Sequence, residues 1–446
     1  MAHDHQHCRD YARAQPGRGL PALEPGMPIP AGTGLSRRSF LLRAAGTALS
    51  VYGAGGIASH VLDEGIAMAQ EAGPQPVLVS VFLSGGIDSL SLLAPFEDAR
   101  YRSLRPTLRV ESGTVFGEDR RLMWHPSAKG LADLHAAGKV TVMPAMGYTS
   151  PNQSHFTSRH FYETGSLDVN ARTGWLGRWL DVVGEPNNAI QGLSLEHELS
   201  PSLATSRVAV AATAAPSEYR FEAPGVWDST AKAAMLESFG RLGTLPSSDP
   251  ITGQARQAQA NAAILRGQLS TVPADAPAVP YPSGNGMANR LKALAQMLSA
   301  GLPIRVATLN AVGGYDTHSG QANTFTSNVQ RTVDALVAFQ ADVEARGLAD
   351  RVLVHVWSEF GRRPAENGSA GTDHGAAGAG FLIGTRARPQ MIGEFPGVTS
   401  LDPQGNLRAT SDFRTLYRSL VDGWLGGASA ADVIPGTSPE RYAVTK

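Results

Sequence analysis

The apolar residues of this chain fall into short unbroken runs separated by stripes of helical period. Residues 77–83 (VLVSVFL) are short, β-branched and stopped by Gly85-Gly86, the pattern of a buried strand. Residues 139–145 (KVTVMPA), 304–309 (IRVATL), 351–357 (RVLVHVW) and 380–384 (GFLIG) predict four more. Leu291, Leu294, Leu298 and Leu302 make one apolar helical stripe. Phe325, Val329, Leu336, Val337 and Val343 make another, in a long helix before the fourth strand. Alternation of strand and helix predicts an α/β fold: a mostly parallel sheet with helices on both faces.

Residues 183–285 break this rhythm. They are rich in Pro, Ser, Ala and Gln, with helices expected over 231–242 and 253–269 and a loop over 271–286. They read as an insertion or cap between two halves of the sheet. There is no internal repeat, and no glycine-rich phosphate loop of the P-loop or dinucleotide kind.

The first 69 residues read as an export signal. Ser36-Arg37-Arg38-Ser39-Phe40-Leu41 precedes a weakly apolar run from Leu42 to about Ala58, and Ala67-Met68-Ala69 offers small residues for a peptidase. Paired arginines before a weakly apolar run are the twin-arginine pattern, which moves proteins already folded. The expected partner is the twin-arginine translocase. The mature α/β domain, residues 70–446, is then expected in the periplasm or secreted. His3, His5 and His7 look like a metal tract but lie in the segment to be removed. No later stretch reaches about 18 consecutive apolar residues, so no membrane span is expected.

Composition narrows the chemistry. Lys and Arg number 38 against 39 Asp and Glu, so no basic field is available for nucleic acid. The one cysteine, Cys8, lies in the expected signal, which excludes disulfides, thiolate metal sites and a Cys nucleophile from the mature domain. Any metal must be held by His, Asp, Glu, hydroxyl or water.

Polar residues cluster just past the expected strand ends, where open sheets place their ligands. These are Asp88 in GGIDS, Asp316 and His318 in GGYDTH, Glu359 in SEFGR, and Asp373-His374 in GTDHG. Ser154-His155 opens a helix after the second strand. Taken singly, each has an ordinary explanation. Asp88 can cap a turn, Ser154 can cap a helix, and Glu359 can pair with Arg362 or Arg363. Together, carboxylates and imidazoles flanked by close-approaching glycines repel one another unless a cation fills the site.

The set GGIDSL, SHF…TG, GGYDTH, SEFGR and GTDHG, with Ser411-Asp412-Phe413-Arg414 near the end, resembles a family of twin-arginine-exported bacterial proteins of uncharacterised function. That family is grouped with the alkaline phosphatase, sulfatase and phosphoglycerate mutase superfamily. The resemblance implies an alkaline phosphatase-like fold and a divalent metal, zinc first, with manganese, calcium or magnesium as alternatives. It implies Ser154 as nucleophile and Asp316, His318 and His374 around one metal. Asp88, Glu359 and the Ser154 hydroxyl would face a second, assisted by Asp373 or His155. A two-metal clamp suits transfer of a phosphoryl or sulfuryl group.

Three departures stand out. The Asp-x-His spacing is tight, Glu359 replaces an expected Asp-His pair, and the lack of Cys-x-Pro-x-Arg excludes a formylglycine sulfatase. His155, Arg159 and Arg362 are candidates for contact with a small anionic ester, although the arginines can equally pair with acids. Two readings remain. One is a metal-dependent hydrolase of phosphate or sulfate esters. The other is a non-catalytic exported binding or assembly protein that keeps the fold with a degenerate site.

Overall fold

The computed structural model describes residues 28, 31, 51–52, 75–185, 188–219, 226–273, 276–436 and 440–446. Apart from residues 28, 31 and 51–52, the expected export signal lies outside the described residues.

All five expected strands form. The strands used below are β1 (Val77–Phe82), β2 (Val140–Gly147), β3 (Gly192–Ser194), β4 (Val210–Ala212), β5 (Val306–Asn310), β6 (Val352–Trp357), β7 (Arg362–Glu366), β8 (Thr372–His374) and β9 (Gly378–Ile383). One ten-stranded sheet runs in the order Val51–Tyr52, β4, β3, β5, β1, β6, β9, β2, Gln390–Met391, with Ser411–Asp412 also beside β2. From β4 through β6 every pairing is parallel.

β9 is antiparallel to both β6 and β2. A parallel return needs a long crossover, usually a helix. The chain between β6 and β9 instead folds the two-stranded ribbon β7–β8, with Arg362 opposite His374. The reversal matters for the site. Residues just before β9 arrive at the same edge as residues just after β1, β5 and β6.

The strands read as unbroken apolar runs because both faces are covered. Along β1, Val77, Val79 and Val81 enter one core, while Leu78 and Phe82 enter the other. The first core is roofed by α1 (Lys129–Ala136), α6 (Gly286–Ser299) and α7 (Gln321–Ala345), through Leu131, Leu291, Leu294, Phe325 and Leu336. The second is roofed by α2 (His155–Thr164), α3 (Trp175–Val183) and α8 (Phe413–Leu420), through Phe161, Trp175, Trp179 and Leu416. The expected stripe through Leu302 overruns α6, which ends at Ser299, and Leu302 is buried in the following turn.

Within 183–285, β3 and β4 belong to the main sheet, and α4 (Ser229–Gly243) packs against α5 (Pro250–Ser270). Asp228 and Asp249 cap these two helices with their carboxylates. Among the described residues, no helix is long and apolar enough to cross a membrane.

Candidate metal centre

Asp316 follows β5 and is fixed by Arg362, which is 2% exposed. The guanidinium donates to Asp316 Oδ1 at 2.6 Å, to Tyr315 O at 3.1 Å, to Gly86 O at 2.9 Å, to Thr372 O at 2.9 Å, and to Gly85 O. It thereby ties together the loops after β1 and β5 and the ribbon strand β8. The expectation that Arg362 meets an anionic substrate is corrected here. Its nitrogens already serve fixed oxygens, and the side chain is sealed.

Close approach of the loops depends on Gly85 and Gly86, at φ +111° and +75°. A Cβ on Gly85 would lie 2.5 Å from the Asp316 nitrogen, and one on Gly86 would strike the Phe360 ring. With no side chains there, both N–H groups turn onto the Glu359 carboxylate, at 2.9 and 3.1 Å.

Three imidazoles converge on Asp316 Oδ1. Nε2 of His318, His374 and His155 lies 3.0, 3.3 and 3.4 Å from it. The Nε2 atoms of His318 and His374 are 3.1 Å apart. Each ring is anchored by its other nitrogen: His155 Nδ1 to Glu359 Oε1 at 2.8 Å, His318 Nδ1 to Asp373 Oδ1 at 3.2 Å, and His374 Nδ1 to Gln153 O at 2.8 Å. A backbone carbonyl only accepts, so His374 carries its proton on Nδ1, and the two carboxylates assign the same tautomer to their partners. In neutral rings all three Nε2 lone pairs then face a carboxylate oxygen.

That arrangement repels itself except where the Arg362 guanidinium, bonded to the same oxygen and 3.4 Å from His318 Nε2, offsets it, and a cation among the four atoms would offset the rest. It is also the orientation of metal-bound histidines, whose second nitrogen donates to a carboxylate or carbonyl. Donors about 2.0–2.1 Å from a tetrahedral zinc-sized ion stand roughly 3.3 Å from one another, which matches the separations above. His155, Asp316 and His374 have ligand atoms mutually within 4.8 Å. Burial pushes the Asp316 carboxyl pKa up, but hydrogen bonds that the three imidazoles donate from Nε2 in their doubly protonated form, and the Arg362 charge, outweigh it and leave the group far below the usual carboxylate range.

Of the six expected ligands, the structure brings Asp316, His318 and His374 together. His155, expected at the substrate, joins them. Glu359 and Asp373 stand one layer out, orienting His155 and His318. Burial raises the Glu359 pKa, but the bond and charge of His155 and the backbone N–H groups lower it further, so the net shift is downward.

Asp88 does not face the centre, a second correction. It is 1% exposed and held in a two-pronged ion pair by Arg105, at 2.6 and 2.9 Å. Ser91 and Gln321 donate to the same carboxylate. With its acceptor positions filled by these donors and a guanidinium beside it, Asp88 is no cation ligand. Arg159 bonds Glu163 at 2.7 Å and lies over the Phe82 ring at 4.8 Å. Ser154 is the N-cap of α2, yet its side chain makes no cap bond, and its own N–H is taken by Asn152 Oδ1 at 2.7 Å.

Arg105, Gln321 and Gln153 escaped the sequence reading. Arg105 lies 17 positions from Asp88 in no recognisable motif, and Gln153 acts through its backbone. Only the adjacency of Gln153 to Ser154-His155 was a signal.

The family model for "Protein of unknown function (DUF1501)" matches residues 142–404. No curated protein matches the sequence. Among solved structures, similarity is found to Ps i-CgsB in complex with k-i-k-neocarrahexaose (9% identity, TM-score 0.34, 82% of this chain and 73% of that one). It is found also to a TAB5 alkaline phosphatase variant with Mg bound in the M3 site (11%, 0.29, 70% and 90%). A third is the PsFucS1 sulfatase from Pseudoalteromonas sp. (12%, 0.28, 81% and 71%).

Proposed function

The chain belongs to the DUF1501 family, proteins of unknown function, and on that premise we propose that it is a metal-dependent hydrolase of phosphate or sulfate esters. The observation that carries this reading is the convergence of three anchored Nε2 atoms on Asp316 Oδ1. A divalent cation held there supplies Lewis-acid polarisation of a phosphoryl or sulfuryl oxygen. An imidazole-rich set with one carboxylate favours zinc or another first-row transition metal over magnesium or calcium. His155, His318, His374 and Asp316 hold the cation, while Glu359, Asp373 and the Gln153 carbonyl keep the rings aimed. Ser154 supplies the nucleophilic oxygen. Its side chain is not engaged in capping, and it opens a ten-residue helix whose N-terminal N–H groups favour an anion. We further propose that the protein reaches the periplasm or exterior through the twin-arginine translocase.

The test is to strip the protein with chelator, titrate it with zinc, manganese, magnesium and calcium, and assay phenyl phosphate and phenyl sulfate. One tightly bound ion and metal-dependent turnover are expected. Absence of tight binding by all four ions ends the reading. A second reading, an exported binding or assembly protein, is favoured by one observation: Arg362, the arginine at the centre, is committed to fixed backbone oxygens and to Asp316 and is not offered to an anionic substrate. It predicts the bound ion without turnover.

A further inference from the structure

The turn of the β7–β8 ribbon, residues 367–371, lies against the backbone that carries His318. A Cβ on Gly371 would stand 2.2 Å from the His318 carbonyl carbon. The Gly320 and Gln321 N–H groups donate to Ser369 O at 3.0 Å and Ala370 O at 2.9 Å, and the Thr372 N–H donates to Thr317 O at 3.0 Å. Ala370 holds φ +51°, a left-handed conformation unfavourable to a residue with a Cβ, so the turn keeps its shape only because other contacts hold it.

Asn367 supplies contacts of two kinds. Its Oδ1 accepts the Ser369 and Gly371 N–H groups at 2.9 and 3.1 Å, which shapes the turn. Its Nδ2 donates out of the turn, to His318 O and to Asp373 Oδ1, both at 3.0 Å. An amide has two acceptor lone pairs and two N–H donors, and this one places all four. Exchanging its oxygen and nitrogen would set Nδ2 against two N–H groups and Oδ1 against two oxygens, so the network itself assigns the orientation.

The Asp373 oxygen that Asn367 holds is the one 3.2 Å from His318 Nδ1. Residue 318 is therefore gripped twice, at its carbonyl by Asn367 and at its ring by the carboxylate that Asn367 braces. The comparison with Glu359 gives this brace its meaning. Glu359 is sealed and steadied by the Gly85 and Gly86 N–H groups. The Asp373 side chain is 29% exposed, and fixing it in one rotamer has an entropic cost that a donor from the turn offsets.

We propose that Asn367 is a positioning residue of the centre: it fixes the Asp373 carboxylate against His318 Nδ1 and so aims His318 Nε2 at the Asp316 oxygen. The positioning belongs to the chain itself; its bearing on a metal rests on the function proposed above.

Two readouts on the full chain keep these apart. A crystal structure of Asn367→Ala in chelator is expected to show the Asp373 carboxylate out of hydrogen-bond reach of His318 Nδ1. A contact kept at the wild-type distance overturns the proposal, whatever the metal titration gives. Where Asn367→Ala does not fold, Asn367→Ser gives the same readout, since its hydroxyl still accepts within the turn but is too short to reach Asp373. The second readout is the zinc affinity of Asn367→Asp. Aspartate keeps an acceptor for the Ser369 and Gly371 N–H groups and loses both donors. The charge it adds attracts a cation, so a role confined to shaping the turn predicts an affinity equal to wild type or above it. A fall of roughly tenfold or more is expected, as when an orienting partner of a metal ligand is lost. A smaller fall, or a rise, overturns the bearing on the metal. Loss of the Asp373 contact in Asn367→Ala, with no zinc uptake by the wild type, upholds the positioning and ends only the metal reading.

Discussion

Nδ1 of His155 lies 2.8 Å from Oε1 of Glu359, and this contact turns the other ring nitrogen toward Asp316. Glu359 is fully buried and also receives the Gly85 and Gly86 N–H groups. It therefore sets the ring and the glycine loop in register with one side chain. Glu359→Gln puts an amide donor against donors already present. Loss of such an orienting partner weakens metal affinity by roughly 10–100-fold. Competition for zinc against a chromophoric chelator measures this directly. An unchanged affinity would show that His155 is not a ligand.

Much of this centre was legible because strand ends announce themselves. Asp316, His318 and His374 each follow glycines beside an apolar run, and the antiparallel turn of β9 delivers His374 to the shared edge. Asp88 carries the same local signature and was read the same way. What separates it is Arg105, a tertiary partner that leaves no mark near residue 88. His155 was seen, but its role was not, since a residue at a helix start can point at substrate or metal according to the loop before it. The anchoring of His374 by a backbone carbonyl has no side-chain pattern at all. The strands themselves were legible because burial on both faces needs continuous apolar runs.

Asp88 and Arg105 supply the second prediction. Both are sealed from solvent, so Asp88→Asn leaves a guanidinium buried without its counter-charge. Breaking such a pair from one side costs about 3–5 kcal/mol. Urea unfolding of metal-free protein should register that loss, while zinc affinity stays within threefold of wild type. A collapse of zinc affinity in folded Asp88→Asn would return Asp88 to the ligand set.

His355, on β6, is fully buried against Tyr417, with ring centroids 5.5 Å apart, and neither of its nitrogens has a hydrogen-bond partner among the described residues. Burial pushes its pKa down from 6.5 to about 3. The unfolded chain takes up a proton near pH 6.5, and the folded one does not until about pH 3. Stability from this group is therefore full above pH 6.5 and falls with acidity through that window, at up to about 1.4 kcal/mol per pH unit. His355→Leu should flatten the acid limb of the stability profile relative to wild type. Parallel profiles from pH 7 to 4 would refute it.

Export gives a prediction independent of the site. The paired arginines at 37 and 38 precede a weakly apolar run, so changing both to Lys should leave folded protein inside the cell. Fractionation showing normal export of that double variant would remove the twin-arginine assignment.

Ser154 and His374 should fail in opposite ways. Ser154 makes no side-chain cap bond, so Ser154→Ala should cost less than the ~1 kcal/mol of a lost cap. Its zinc affinity should survive, because four nitrogen and oxygen donors remain, while ester turnover falls at least a thousandfold. His374→Ala removes one of those donors and frees Gln153 from its bond, so metal is lost first and activity with it. A ligand present at a hundred times its dissociation constant stabilises the folded state by about 2.7 kcal/mol. In zinc, wild type and Ser154→Ala should therefore melt together, well above His374→Ala. In chelator the wild type and Ser154→Ala should fall toward the ligand variant. The bland account, in which Ser154 merely starts a helix, predicts that Ser154→Asp is at least as stable as wild type and equally active. A carboxylate replaces a cap, but here it would set a negative charge against an anionic ester where a hydroxyl stood, so turnover should fall. Full turnover by Ser154→Asp, or turnover by Ser154→Ala within tenfold of wild type, would assign the attacking oxygen elsewhere while leaving the metal ring intact.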